Sequence, residues 1–160
     1  MQIEEYLSKN GIAAKAIHFE SPVKTTADCE ANGISASKVI KSILLVLGEE
    51  KKLLCVLLGS DLIAFGKIRR LTGIKNIRTA NPEEVLEATG FDVGGVVPFI
   101  PGLETIIDTN VLGLKEAYSG GGDASTLLRL KTSELSRFGG VENIHKEEEQ
   151  AGQDLNKPGD

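Results

Sequence analysis

Hydrophobic positions change their period several times along the chain, and each change marks an element. Ile3, Tyr6 and Leu7 fall at helical spacing among Glu4, Glu5, Lys9 and Asn10, and Gly11 ends the pattern, which predicts a first helix. Ile12–Phe19 reads as a strand with small residues. Thr25 or Thr26 can cap a short helix ending near Gly33, and Ser35 or Ser37 can start a further turn that delivers Lys41. Ser42–Gly48 and Leu53–Leu58 are continuous apolar runs joined by Glu49-Glu50-Lys51-Lys52, the pattern of a hairpin of two central strands covered on both faces. Phe65–Leu71 predicts a helix, Gly73 stops it, and a short strand follows. In the clearest helix, Asn81 is the N-cap, Pro82 takes the first helical position, Glu83 and Glu84 meet the positive end of the dipole, and Gly90 closes it. Phe91–Pro101 is a glycine/proline loop. Strands are predicted at Glu104–Asp108, Lys115–Ser119 and Ser125–Leu130, with Thr132 capping a last short helix to Phe138.

This order implies a single α/β (α+β) domain over residues 1–144: a mixed, mostly antiparallel sheet curled toward a barrel, with helices around it. A length of 160 residues, 41% hydrophobic and 26% charged, suits one domain with a real core. Residues 145–160 lack an apolar pattern and are predicted to be a disordered acidic tail. No apolar run reaches the ~18 residues of a membrane span. The first residues carry neither the basic region nor the apolar stretch of a secretory signal. Cys29 and Cys55 form no metal or disulfide spacing, so a reduced, cytoplasmic protein is expected.

Localising the charge changes the picture of partners. Of the net −5, the tail holds −3 and the body −2. The body also carries a basic island, Lys67, Arg69, Arg70, Lys75 and Arg78, with no acid among residues 67–78. It is either a solvated helix face or a nucleic-acid contact.

Familiar catalytic signatures are missing. There is no GxSxG, no GxGxxG after a strand, and no lysine to make Gly120–Thr126 a Walker loop. His18 and His145 are far apart in sequence, which argues against a histidine-based nucleophile system. What remains is one lysine and several glycine segments. Lys41 is either a solvated residue at a helix end or an ammonium at a pocket rim. Gly94-Gly95-Val96-Val97-Pro98 is either a turn or a loop whose N–H groups can bind an oxygen. Gly120-Gly121-Gly122 is excessive for a hairpin turn and fits close approach by a ligand or another backbone. Asp108 and Thr25 are most simply a turn residue and a cap.

Lys41-Ser-Ile-Leu-Leu-Val, Thr89-Gly-Phe-Asp-Val-Gly-Gly-Val-Val-Pro-Phe99, Ile106-Ile-Asp108 and Ser119-Gly-Gly-Gly122 occur in the order of the YbaK/prolyl-tRNA-synthetase-associated domain family, which the sequence resembles from about Val23 to Phe138. These are free-standing or inserted domains that hydrolyse mischarged aminoacyl-tRNA. The resemblance implies a barrel-like α/β domain with an amino-acid-sized pocket. In its terms Lys41 contacts the terminal adenosine or the ester, and Gly94 and Pro98 belong to the loop that orients the carbonyl or the attacking water. Asp108 becomes a pocket acid, and Thr25 or Thr26 a hydroxyl near the mouth. Gly95, Val96, Val97 and Gly120, Gly121, Gly122 then fall at the substrate, and Val96 and Val97 make the loop more apolar than in relatives with Ser or Thr there.

The implied activity is a cytoplasmic, trans-acting deacylase of mischarged tRNA, most plausibly tRNA(Pro) carrying alanine, serine or cysteine. It would use no metal and no organic cofactor. An aminoacyl ester is already activated, so placement and N–H donors can replace a histidine base. The basic island would meet acceptor-stem phosphates, and prolyl-tRNA synthetase is a further partner suggested by the resemblance. Two rival readings remain: a non-catalytic module binding an amino acid, nucleotide or partner protein, and a phosphate binder built on Gly120–Asp123.

Overall fold

A computed structural model describes residues 2–146 of the chain. The amphipathic segment Ile3–Lys9 forms α1, with Ile3 and Leu7 buried. It is followed by β1 (Ala14–His18) and α2 (Thr26–Ala31), where Thr25 is the cap and its hydroxyl and the Asp28 carboxylate close a reciprocal capping box. The apolar hairpin is β2 (Ile40–Leu47) and β3 (Lys51–Leu58), in antiparallel register with Lys41 opposite Leu57. Helix α3 (Phe65–Thr72) ends at Gly73 with φ +73°, and β4 (Ile77–Thr79) follows. Helix α4 (Pro82–Thr89) has the predicted Asn81 cap, also a capping box with Glu84, and stops at Gly90. Strands β5 (Thr105–Asp108), β6 (Glu116–Gly120) and β7 (Thr126–Lys131) match the three predicted runs.

These strands build two sheets rather than one closed barrel. One has the order β1-β7-β6, and the other is β4-β2-β3-β5 continued by β8 (Gly140–Glu142). Four of the pairings are antiparallel; β3–β5 and β5–β8 are parallel. A single bridge between Val39 and Tyr118 is the only β pairing between the two sheets among the described residues. The sequence did not announce β8, because Gly140–Glu142 is short and exposed. Thr132 begins a 3-10 turn without capping it; its hydroxyl donates to the Leu114 carbonyl at 2.5 Å.

The alternation of side chains along β2 and β3 sorts them into separate cores. Ile40, Leu44, Leu54 and Val56 face the other sheet and meet Ala117, Leu128 and Leu130 there. Leu45, Leu47, Leu53, Cys55 and Leu57 face the opposite way, onto Phe65 and Ile68 of α3. A small third core packs Cys29 and Ile34 against Leu127 on the outer face of β7. Both faces of the β2–β3 hairpin are thus covered, as its unbroken apolar runs require.

The predicted tail begins too early. His145 is buried, pairs with Ile63 in a β-bridge, and bonds Asp108 through Nδ1 at 2.8 Å. Its burial was masked because Ile144 is the last apolar residue before a polar run. The remainder of the predicted tail, residues 147–160, lies outside the described residues.

Candidate active site

Lys41 sits within β2, one residue inside the strand, rather than at a helix end. It therefore projects from a fixed backbone, with its ammonium donating to the Gly59 carbonyl at 3.2 Å. Partial burial pulls its pKa below the ordinary lysine value, and attraction to Asp61 opposes that shift.

Two chambers meet at this lysine. The smaller, about 280 Å³, is bounded by Val23, Thr25, Thr26, Cys29 and Leu127, with Ser119 and Gly120 on its floor. The larger, about 440 Å³, is mostly apolar and includes Leu62, Ile63, Phe65 and Val85. Lys41, Ser42, Gly94 and Val96 line both, so they form a common wall. Among the described residues, no carboxylate or histidine lines either chamber. The wall thus offers a cation and hydrogen-bond donors but no general base.

The backbone of the glycine loop supplies those donors. Gly94 has φ +93°, a conformation that favours glycine, and is exposed. The Gly95 N–H is spent on Asp92 at 2.9 Å, whereas the N–H groups of Gly94 and Val96 donate to no protein group among the described residues. Gly95 itself lies behind the wall: a Cβ there would come within 2.7 Å of the Gly122 carbonyl carbon and oxygen. The Gly122 N–H donates to the Gly95 carbonyl at 2.8 Å, and a Cβ on Gly120 would come within 2.6 Å of the Val96 carbonyl oxygen. Close approach of two backbones therefore explains Gly95 and Gly120, Gly122 is required by its φ of +100°, and these contacts hold the Gly94 loop in place. Val97, Pro98 and Phe99 are buried beneath it, with the Tyr6 hydroxyl bonded to the Phe99 carbonyl.

Thr25 and Thr26 both reach the smaller chamber. The Thr25 hydroxyl accepts the Asp28 N–H at 3.0 Å, while that of Thr26 has no protein partner among the described residues. Gly121 and Gly122 face a different space, an open groove of about 1090 Å³ beside α1 and His18. With the Gly122 N–H already bonded to Gly95, the triple glycine reads as packing, and a phosphate loop on Gly120–Asp123 loses its support.

Asp108 lines neither chamber. Its carboxylate is fully buried and accepts the N–H groups of Asn110, Ile144 and His145 as well as His145 Nδ1. Asp61, Asp108 and His145 bring ligand atoms within 4.8 Å of one another. The Asp108 oxygens are already engaged by those donors, and Asp61 accepts from Asn110 Nδ2 at 2.9 Å. The cluster is a hydrogen-bonded anchor rather than a ligand set waiting for a metal ion.

The sequence model of the aminoacyl-tRNA editing domain matches residues 20–138. The chain belongs to this family. The chain is 33% identical over 125 residues to the uncharacterized protein YwhH of Bacillus subtilis, covering 75% of this chain and 78% of that protein. It is 31% identical over 105 residues to the proline–tRNA ligase of Thermotoga maritima, covering 65% of the chain but only 18% of the ligase. A crystal structure described as "a putative trans-editing enzyme for prolyl tRNA synthetase" superposes with a TM-score of 0.80 at 29% identity, over 91% of this chain and 96% of that one.

Among the residues of this editing domain's chambers that were not singled out in the sequence are Ser42 and Lys146. The Ser42 hydroxyl is the single buried side-chain polar atom without a hydrogen-bond partner among the described residues. The signal for it was a hydroxyl directly after Lys41 in an otherwise apolar strand. An unpaired buried hydroxyl costs about 1–3 kcal/mol, which marks Ser42 as kept for something other than stability. The second is Lys146, on the larger chamber. The basic island is only partly available. Lys67 is pinned to Asn143 Oδ1 at 2.7 Å and the His145 carbonyl at 2.8 Å. Arg78 grips Glu84 in a fork with both bonds at 2.7 Å, and Arg69 bonds the Lys75 carbonyl at 3.0 Å. Arg70 and the Lys75 ammonium have no partner among the described residues and are the free cations of the island.

No helix among the described residues is long and apolar enough to cross a membrane.

Proposed function

We propose that the protein is a trans-acting deacylase that hydrolyses the ester of mischarged tRNA, with tRNA(Pro) bearing alanine, serine or cysteine as its substrate. One observation carries this reading: Lys41, Gly94 and Val96 share the wall between a small and a larger chamber, and the N–H groups of Gly94 and Val96 have no protein acceptor among the described residues. An aminoacylated 3′ end has that layout, with a small group and a large group joined by one ester. The amino acid enters the chamber of Thr25, Thr26 and Leu127. The terminal adenosine takes the apolar chamber, where Phe65 offers a face for the base. The carbonyl then lies at the wall, where the ammonium and the N–H groups stabilise the oxyanion as water adds to the carbon.

Because no base lines the chambers among the described residues, the proton of the attacking water passes to a group of the substrate: its ribose hydroxyl, its amine or its side chain. Selectivity follows from size, since a pocket separates side chains by only ~1–3 kcal/mol per methylene and exclusion by the walls is the stronger device. Arg70 and Lys75 are the members of the basic island left to meet acceptor-stem phosphates.

The test is a panel of aminoacyl-tRNAs labelled on the amino acid. Alanyl-, seryl- or cysteinyl-tRNA(Pro) is expected to lose label faster than in buffer, and prolyl-tRNA(Pro) is expected to survive. Retention on a filter without loss of label across the whole panel would instead identify a binding module.

A further inference from the structure

Residues 143–146 are fastened to the body by several hydrogen bonds. The Ala64 N–H donates to the Ile144 carbonyl at 2.8 Å, and the Lys146 N–H to the Leu62 carbonyl at 2.9 Å. Ile144 is fully buried in the α3-side core. Asp108 takes the Ile144 and His145 N–H groups at 2.8 and 3.1 Å, and the Lys67 ammonium ties down Asn143 and the His145 carbonyl. The residue this clasp presents is Lys146, a wall of the larger chamber. Among the described residues its ammonium has no protein partner, and no carboxylate lines the chamber it shares with Lys41. Lys41 is partly desolvated there, and an anion held between the two ammonium groups would offset that cost. The clasp lies beyond residue 138, where the editing-domain match ends.

We infer that Lys146 binds the phosphodiester on the 5′ side of the terminal adenosine. The inference rests on the deacylase reading, which puts that nucleoside in the larger chamber. Its 5′-phosphate is the one negative charge that the terminal nucleotide carries there. Lys41 then serves the ester and Lys146 the phosphate, so the two ammonium groups measure the nucleotide from both ends. This makes Asp108 a positioning residue: it acts by holding the segment that carries Lys146.

The experiment compares 3′-O-alanyl-adenosine with its 5′-monophosphate as substrates for the full-length protein. The wild type is expected to prefer the phosphorylated ester about tenfold in kcat/KM, the size of one charge-assisted hydrogen bond. Lys146→Ala is expected to erase that preference, and Lys146→Arg to keep it. On aminoacyl-tRNA, the dependence of log kcat/KM on log salt should become shallower by about 0.7 in Lys146→Ala. Equal loss on both esters, or an unchanged preference, overturns the assignment of Lys146. If the wild type hydrolyses neither ester nor any aminoacyl-tRNA, the deacylase reading fails instead. Binding of adenosine 5′-monophosphate against adenosine, in wild type and Lys146→Ala, then still decides the phosphate contact: tighter binding of the monophosphate only in the wild type supports it, and equal ratios overturn it.

Discussion

Lys41→Ala is expected to reduce aminoacyl-tRNA hydrolysis by at least on the order of 10²–10³-fold, the loss seen when one oxyanion donor is removed, while the protein stays folded. The geometry separates the two effects. The lysine's one side-chain hydrogen bond goes to the Gly59 carbonyl, and its β2 backbone pairing with Leu57 does not depend on the side chain. Burial lowers its pKa, so the charged form is less favourable in the folded chain than in the unfolded one. Below the folded pKa this is a constant cost to stability. As pH rises through the window between the folded pKa and the ordinary value of 10.5, the unfolded chain holds the extra proton and the cost disappears. The variant's stability relative to wild type should therefore be most favourable near neutrality and decline as pH rises through that window. Deacylation by the wild type should fail at a lower pH than an ordinary lysine would allow. Thermal midpoints and initial rates of label release across pH check both statements. Full activity in folded Lys41→Ala would remove the lysine from the reaction.

Asp108→Ala is expected to act the other way, as a loss of fold. Removing the carboxylate takes the acceptor from three buried or half-buried N–H groups, and each buried donor left unsatisfied costs about 1–3 kcal/mol. Such a cost is a large fraction of a domain's total stability of about 5–15 kcal/mol. Chemical denaturation should show a lower midpoint, and the remaining folded molecules should deacylate no worse than Lys146→Ala. The opposite result, an unchanged midpoint with abolished turnover, would return Asp108 to the reacting centre.

Asp108 also shows where the reading of sequence ran out. Its motif position and strand-end location were legible, but its partners come from residues 144 and 145, some 36 residues later, in a stretch with no apolar period. The helices and the β2–β3 hairpin were legible because their signals are local: capping boxes at Thr25 and Asn81, glycine stops at Gly73 and Gly90, and unbroken apolar runs. Closure of the sheet was not, since the division into two sheets depends on which strands pair across long sequence gaps. The parallel placement of β5 between β3 and β8 carries no marker in the chain. Of the candidate site, Lys41, Gly94, Val96, Thr25, Thr26 and Gly120 come together around the two chambers. Gly121 and Gly122 looked like substrate contacts because a backbone neighbour, as Thr126 is to Gly121, or a positive φ, as at Gly122, makes the same demand on glycine as a ligand. Likewise, Lys67 and Arg78 looked free because sequence shows a charge without its partner.

The most direct measurement is the structure of the protein with a non-hydrolysable analogue, 3′-alanylamino-3′-deoxyadenosine. The account predicts the amide carbonyl at the wall of Lys41, Gly94 and Val96, with the alanyl methyl toward Thr25 and Leu127 and the adenine beside Phe65. An analogue seated in the open groove beside His18, with the Lys41 wall unoccupied, would contradict it.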